Sequence, residues 1–135
     1  MVKEFAAMKV VKPGEAALDP GGIEWAISAD TTGAKTLKLG VARVPPGVSI
    51  PAHHHPTETS ALLTRGRAAF RFGEKLDERL EMEAGDYAFV GANVIHTEET
   101  LGDEEAEFIM AVPAGWDSVP VDPSDPGWAT PTDTS

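Results

Sequence analysis

Short runs of apolar residues, many alternating with polar ones, recur along the chain, and turn residues break them at close intervals. Alternation puts successive side chains on opposite faces, so such runs read as half-buried strands. The pattern predicts strands over residues 23–28, after Asp19-Pro20-Gly21-Gly22, over 36–44, ended by Pro45-Pro46-Gly47, and over 48–55. Residues 60–64 and 67–72 flank Arg65-Gly66, which reads as a tight hairpin, and 76–82 precede a turn at Glu83-Ala84-Gly85-Asp86. Strands over 87–90, 94–100 and 106–112 complete the set. Helical periodicity is almost absent. Many short strands in one chain predict an all-β protein, an antiparallel sandwich or barrel. Phe70, Phe72, Tyr87, Phe89 and Met110 are assigned to the core, although both faces of 87–90 are apolar and alternation does not say which turns inward.

The ends differ from the middle. Residues 1–20 are expected to form an N-terminal arm with an edge strand around 8–12, residues 21–116 a barrel, and residues 117–135, rich in Pro, Asp, Thr and Ser, an extended C-terminal arm. Trp116 and Trp128 qualify the last point. Aromatic residues are rare in free tails, so part of this arm is expected to pack on the domain or on a neighbouring subunit.

Composition narrows the function classes. A chain of 135 residues suits one domain with one core, and its 13 Gly and 11 Pro suit strands and turns. The net charge is −11, and the 11 Lys and Arg are scattered rather than gathered in a stripe. That balance argues against nucleic acid and anionic membrane surfaces as partners. The absence of Cys excludes disulfides, thiolate metal ligands and a cysteine nucleophile. No apolar run resembles a signal peptide or a spanning helix, and a cytoplasmic protein is expected.

The four histidines carry the candidate chemistry. His53, His54 and His55 are consecutive, and His96 lies far downstream. On a strand, His53 and His55 point one way and His54 the other. Two imidazoles on one face, joined by a third from a neighbouring antiparallel strand, form a set of nitrogens able to hold one divalent metal ion. His54 is expected to face outward.

The surrounding glycines sharpen this reading. In Gly47-Val-Ser-Ile-Pro-Ala-His53-His-His55 a glycine precedes His-x-His by five residues, and Gly66 follows His55 by eleven. Farther on stands Gly85-Asp86-Tyr-Ala-Phe-Val-Gly91-Ala-Asn93-Val-Ile-His96. The two stretches resemble the two motifs of the cupins, and the chain is similar to the small single-domain members of that superfamily (RmlC-like, cupin type 2). The resemblance implies a double-stranded β-helix, or jelly-roll, barrel, with His53, His55 and His96 as metal ligands.

Three positions depart from the family pattern. The first motif places a glutamate ligand where Thr59 stands; Glu58 lies one residue earlier. A bulge or a tighter turn after His55 would bring Glu58 to the metal, and without it the site is three histidines plus water. Gly91 replaces a proline, and Asn93 a glycine; Asn tolerates a positive φ, so the turn is expected to survive. Thr100 replaces an asparagine. Asp86 is read as a local hydrogen-bonding residue of its turn, and 103–107 as a solvated acidic segment.

Nitrogen ligands, with or without a carboxylate, suit Fe, Mn, Ni, Zn, Cu or Co. The resemblance implies dioxygenases, isomerases, epimerases, lyases and binding proteins alike. The leading expectation is a metal-dependent, dioxygenase-like enzyme acting on a small oxygen-rich organic molecule. The alternatives are a non-catalytic small-molecule binding or sensing protein, and a metal-free epimerase or isomerase with a histidine base. Relatives of this kind often pair through edge strands, and open β edges need cover, so a homodimer is expected.

Overall fold

A computed structural model describes residues 8–73 and 75–121; Trp128 and most of the expected C-terminal arm lie outside them. Eleven strands run β1 (Ala17–Leu18), β2 (Glu24–Ile27), β3 (Leu37–Val44), β4 (Ser49–His54), β5 (Thr59–Arg65), β6 (Arg67–Phe72), β7 (Glu78–Glu83), β8 (Tyr87–Val90), β9 (His96–Leu101), β10 (Ala106–Pro113) and β11 (Val119–Pro120). They form two antiparallel sheets, ordered β1-β2-β3-β10-β5-β8 and β11-β4-β9-β6-β7. This is an antiparallel all-β architecture as the alternation predicts, and the jelly-roll barrel that the family resemblance implies. No helix among the described residues is long and apolar enough to cross a membrane.

The core lies between the sheets. Val44, Leu63, Phe108, Met110 and Val112 project from the six-stranded sheet against Ala68 and Met82 of the five-stranded one. Trp25 and Trp116 meet edge to face at 5.7 Å within the same cluster. The interior is dense where β9 ends, beside Ala68 and Thr100, and opens into a cavity where β9 begins, at His96. One end of the barrel holds the fold together, and the other presents the site.

Several expectations are corrected. β5 and β6 do not form a hairpin: they belong to different sheets, and the chain crosses between them at Gly66. Gly66 has φ +82°, and a Cβ there would stand 2.6 Å from the Glu105 carbonyl oxygen. Only glycine satisfies both the left-handed backbone and that approach. No strand forms around 8–12; the edge is β1, two residues hydrogen-bonded to β2. A short α-helix, α1 (Ala29–Thr32), is capped by Ser28, whose hydroxyl accepts from the Thr31 N–H, and ends at Gly33 with φ +79°. β11 was unforeseen, because two residues containing a proline carry no alternation; it pairs with β4 at His53 and His54. Tyr87 and Phe89 are not core residues: they are 81% and 69% exposed on the outer face of β8.

Candidate metal centre

Strand pairing and two contacts outside the strands aim the histidines. The pairing of β4 with β9 shifts register between Ile50 and His53, and Pro51, which has no N–H to give a ladder, sits in that irregularity. The shift sets His53 directly opposite His96, the first residue of β9. His55 follows the last residue of β4 and is held from two sides. The Asn93 N–H donates to its carbonyl at 2.7 Å, and its ring stacks on Trp116 at 4.3 Å. Asn93 has φ +64°, so the turn survives without glycine as expected.

The result is a cluster in which one nitrogen from each of His53, His55 and His96 lies within 4.8 Å of the others. All three rings are at least nine-tenths buried. Each Nδ1 meets a backbone carbonyl: His53 with Pro51 at 2.8 Å, His96 with Val94 at 2.9 Å, His55 with Asp117 at 2.8 Å. A carbonyl only accepts, so Nδ1 carries the proton in every ring, and every Nε2 keeps its lone pair. Carbonyl partners of this kind fix the tautomer and orientation of metal-binding histidines. Burial holds the His55 and His96 rings down at about 4 and lowers His53 too, so all three are neutral at pH 7. The donor set therefore fits a divalent transition ion in charge state, tautomer and convergence.

Glu58 stands apart from the cluster. It is exposed and borders an outer groove with Leu37, Leu39 and Phe89. Thr59 is the residue that turns inward, and its hydroxyl accepts from Trp116 Nε1–H at 2.7 Å. The position where a carboxylate ligand was expected is thus committed to holding Trp116, the residue that stacks on His55. His54 points away from the cluster, beside Val119 of β11, and its Nδ1 is buried without a hydrogen bond among the described residues. Asp86 accepts from the Glu83 N–H at 2.9 Å, a local turn bond as expected.

Glu98 is the residue that sequence reasoning missed. It lies two positions after His96 on β9, between Ile50 of β4 and Phe70 of β6, and lines the same cavity as the three histidines. The signal was available: the alternation that puts His53 and His55 on one face does the same for His96 and Glu98. It is partly buried, and no described side chain forms an ion pair with it. Burial pushes its carboxyl up to about 7. The cavity measures about 500 Å³, and its wall is mostly apolar, with Ile50, Ala61, Phe70, Phe108 and Met110 among its residues.

These shifts give stability a definite pH dependence. Unfolded, the three rings take up protons below their ordinary value of 6.5; folded, His55 and His96 resist to about 4. The unfolded state binds more protons in that window, so acidification destabilises the metal-free protein. Glu98 acts in the opposite sense between its ordinary 4.5 and about 7, because the folded state keeps a proton the unfolded chain releases. Three rings outweigh one carboxyl. The Tm of metal-free protein is expected to fall from pH 6.5 to 4.5, and more steeply in Glu98→Gln. A Tm that rises on acidification contradicts this balance.

The comparisons with known proteins follow the same lines. A family model described as a cupin domain matches residues 40–112. No curated protein matches the sequence. Among solved structures, the polyketide cyclase RemF from Streptomyces resistomycificus superposes with a TM-score of 0.72 at 20% identity, over 87% of this chain and 88% of its own. Bacillus subtilis oxalate decarboxylase, described with Mn(II) centres, superposes with a TM-score of 0.65 at 24% identity over 74% of this chain. The match covers only 28% of the decarboxylase. A double-stranded β-helix protein from Klebsiella pneumoniae gives a TM-score of 0.60 at 18% identity, over 86% of this chain and 99% of that one. At these identities the superpositions establish the fold alone. The family match spans more than half of the sequence and both histidine-bearing stretches, and on that ground the chain belongs to the cupin domain family.

Proposed function

We propose that the protein is a metal-dependent enzyme that cleaves a small, oxygen-bearing organic molecule oxidatively. The observation behind this reading is the convergence of three neutral imidazoles, each with a free Nε2, on the wall of an apolar cavity. His53, His55 and His96 would hold the ion, and three protein donors leave coordination positions for substrate. A bound divalent transition ion supplies Lewis acidity toward a substrate oxygen and, if it is iron, redox chemistry with dioxygen.

The chain's own residues do the rest. Phe70, Phe108 and Met110 enclose the apolar body of the substrate and keep water out. Trp116 holds His55 flat against its ring. Glu98, facing the same space, takes or returns a proton on the substrate. That carboxyl also favours a second reading, in which proton transfer beside the metal isomerises or cyclises the substrate without oxygen. The likeness to RemF along nearly the full length of both chains supports keeping it.

Fe(II)-loaded protein offered diketones, phenols and small carboxylic acids in an oxygen-electrode cell tests both. Oxygen uptake that depends on one substrate class supports oxidative cleavage. Turnover under anaerobic conditions supports the second reading. In either case Glu98→Gln is expected to lower kcat by about 100-fold, the usual worth of a positioned acid–base group. A tightly retained ligand seen by native mass spectrometry, with no turnover, contradicts both and leaves a binding protein.

A further inference from the structure

We propose that a second, apolar chamber, which opens between β7 and β8 and backs onto His96, holds the hydrocarbon tail of a substrate whose oxygen-bearing head lies at the three histidines. The head and its ion are those of the proposed function, on which the tail site rests. β7 ends the five-stranded sheet and β8 the six-stranded one, and among the described residues no ladder joins them. The turn between them is pinned to β5. There the Gly85 N–H donates to the Leu63 carbonyl at 2.7 Å, and the Leu63 N–H to the Asp86 carbonyl at 3.0 Å. Away from that turn the two sheet edges part and leave the chamber between them. It measures about 460 Å³, within the ~300–1,000 Å³ usual for ligand pockets.

Its wall is apolar because two neighbouring strands turn the same face inward. Phe70 and Phe72 of β6 line it beside Leu80 and Met82 of β7, with Phe70 opposite Leu80 in the ladder. Met82 is buried, yet Leu80, on the same face two residues earlier, is 62% exposed. An inward-facing leucine so exposed can still bury apolar area against an occupant. Val90 and Val94 add to the wall. Among the described residues, Glu81 and Asp86 are the only acidic or basic side chains along it, and both are engaged elsewhere. Glu81 pairs with Arg79 and, at 3.7 Å, with Arg67, and Asp86 accepts from the Glu83 N–H at 2.9 Å. The chamber therefore matches a hydrocarbon and not a charged group.

The inner wall ties the chamber to the site. Phe70, Ala88, Val90 and His96 line both the chamber and the metal cavity. The Phe70 and His96 rings stand 6.4 Å apart at this shared boundary. An occupant that reaches the boundary arrives beside a ring of the metal-binding set. That adjacency favours the tail of a molecule already held at the histidines over a separate peptide or a lipid surface. Toward the opposite edges of the two sheets, the metal cavity carries Asp19, Lys38, Asp117 and Ser118. The three histidines thus lie between a polar side and an apolar one. This arrangement suits an amphipathic substrate, with a carboxylate, phenol or ketone head and an alkyl or aryl tail.

Co(II)-loaded full-length protein titrated with butanoate, hexanoate and octanoate tests this, with binding read from the visible bands of the ion. Each buried methylene is worth about fourfold in affinity, so octanoate is expected to bind at least ~30-fold tighter than butanoate after the cost of ordering the chain. Leu80→Asp, whose short side chain keeps its charge at the opening, is expected to remove most of that gain and leave butanoate unchanged. Leu18→Asp, at a similarly exposed leucine of β1 outside the chamber, is expected to keep the gain. Both variants are expected to show the far-UV circular dichroism of the wild type. Equal affinities across the series, or a gain that Leu80→Asp leaves intact, overturn the proposal, whether residues 122–135, a second copy or another protein fills the gap instead. Co(II) bands that respond to none of the acids overturn it as well. Absence of Co(II) bands ends the metal reading itself, and the tail site with it.

Discussion

His96→Ala is expected to abolish tight metal binding, with at least a 1,000-fold loss in affinity for Mn(II) or Zn(II) measured by competition with a metal-sensitive dye. Removing one of three nitrogens takes away a full coordination bond. Second-sphere changes, by comparison, cost about 10–100-fold. The remaining two rings lose their partner across the strands, because His96 stands opposite His53 in the ladder and its ring lies 4.3 Å from that of His53. The metal-free variant is expected to stay folded, since the ring faces a cavity and its Nδ1 bond to Val94 is local. An unchanged affinity would place the ion elsewhere.

Gly66→Val is expected to cost more than about 3 kcal/mol in chemical denaturation, enough to leave little folded protein. A branched side chain at φ +82° is strained whatever surrounds it. Its Cβ would in addition meet the Glu105 carbonyl at 2.6 Å and Ala106 Cα at 3.0 Å, both backbone atoms at the start of the buried strand β10. Relief requires β10 to move, and β10 pairs with both β3 and β5 at the centre of the six-stranded sheet. A loss below about 1 kcal/mol would show that the crossing tolerates a shift that its close contacts do not suggest.

That glycine also marks where sequence reading stopped. Alternation located nine of the strands to within a residue or two, because each strand is long enough to show a period of two. It did not say which strand lies beside which. Arg65-Gly66 has the composition of a hairpin turn, and the choice between hairpin and sheet-to-sheet crossing rests on the approach of Glu105, 39 residues away in sequence. β1 and β11, at two residues each, are held by backbone pairing that leaves no trace in side-chain pattern.

The site was legible in proportion to its locality. His53, His55 and His96 come from the alternation rule and from motif spacing, and the structure brings them together. The carboxylate was sought at Glu58, one residue before Thr59, where the family motif has its glutamate. The structure places Thr59 inward under Trp116 and sets Glu98 in the cavity from another strand. Trp116 could be expected to pack on something, but not on His55, since that contact joins residues 61 positions apart. Tyr87 and Phe89 were read as core because the sequence of an apolar strand face looks the same whether it turns inward or outward.

X-ray absorption spectroscopy of the zinc-loaded protein tests the central claim most directly. Three imidazole nitrogens are expected at about 2.0–2.1 Å, completed by oxygen donors, with one imidazole fewer, or no specific signal, in His96→Ala. A spectrum with fewer than three imidazoles in the wild type, or one that His96→Ala leaves unchanged, would contradict a centre built from His53, His55 and His96.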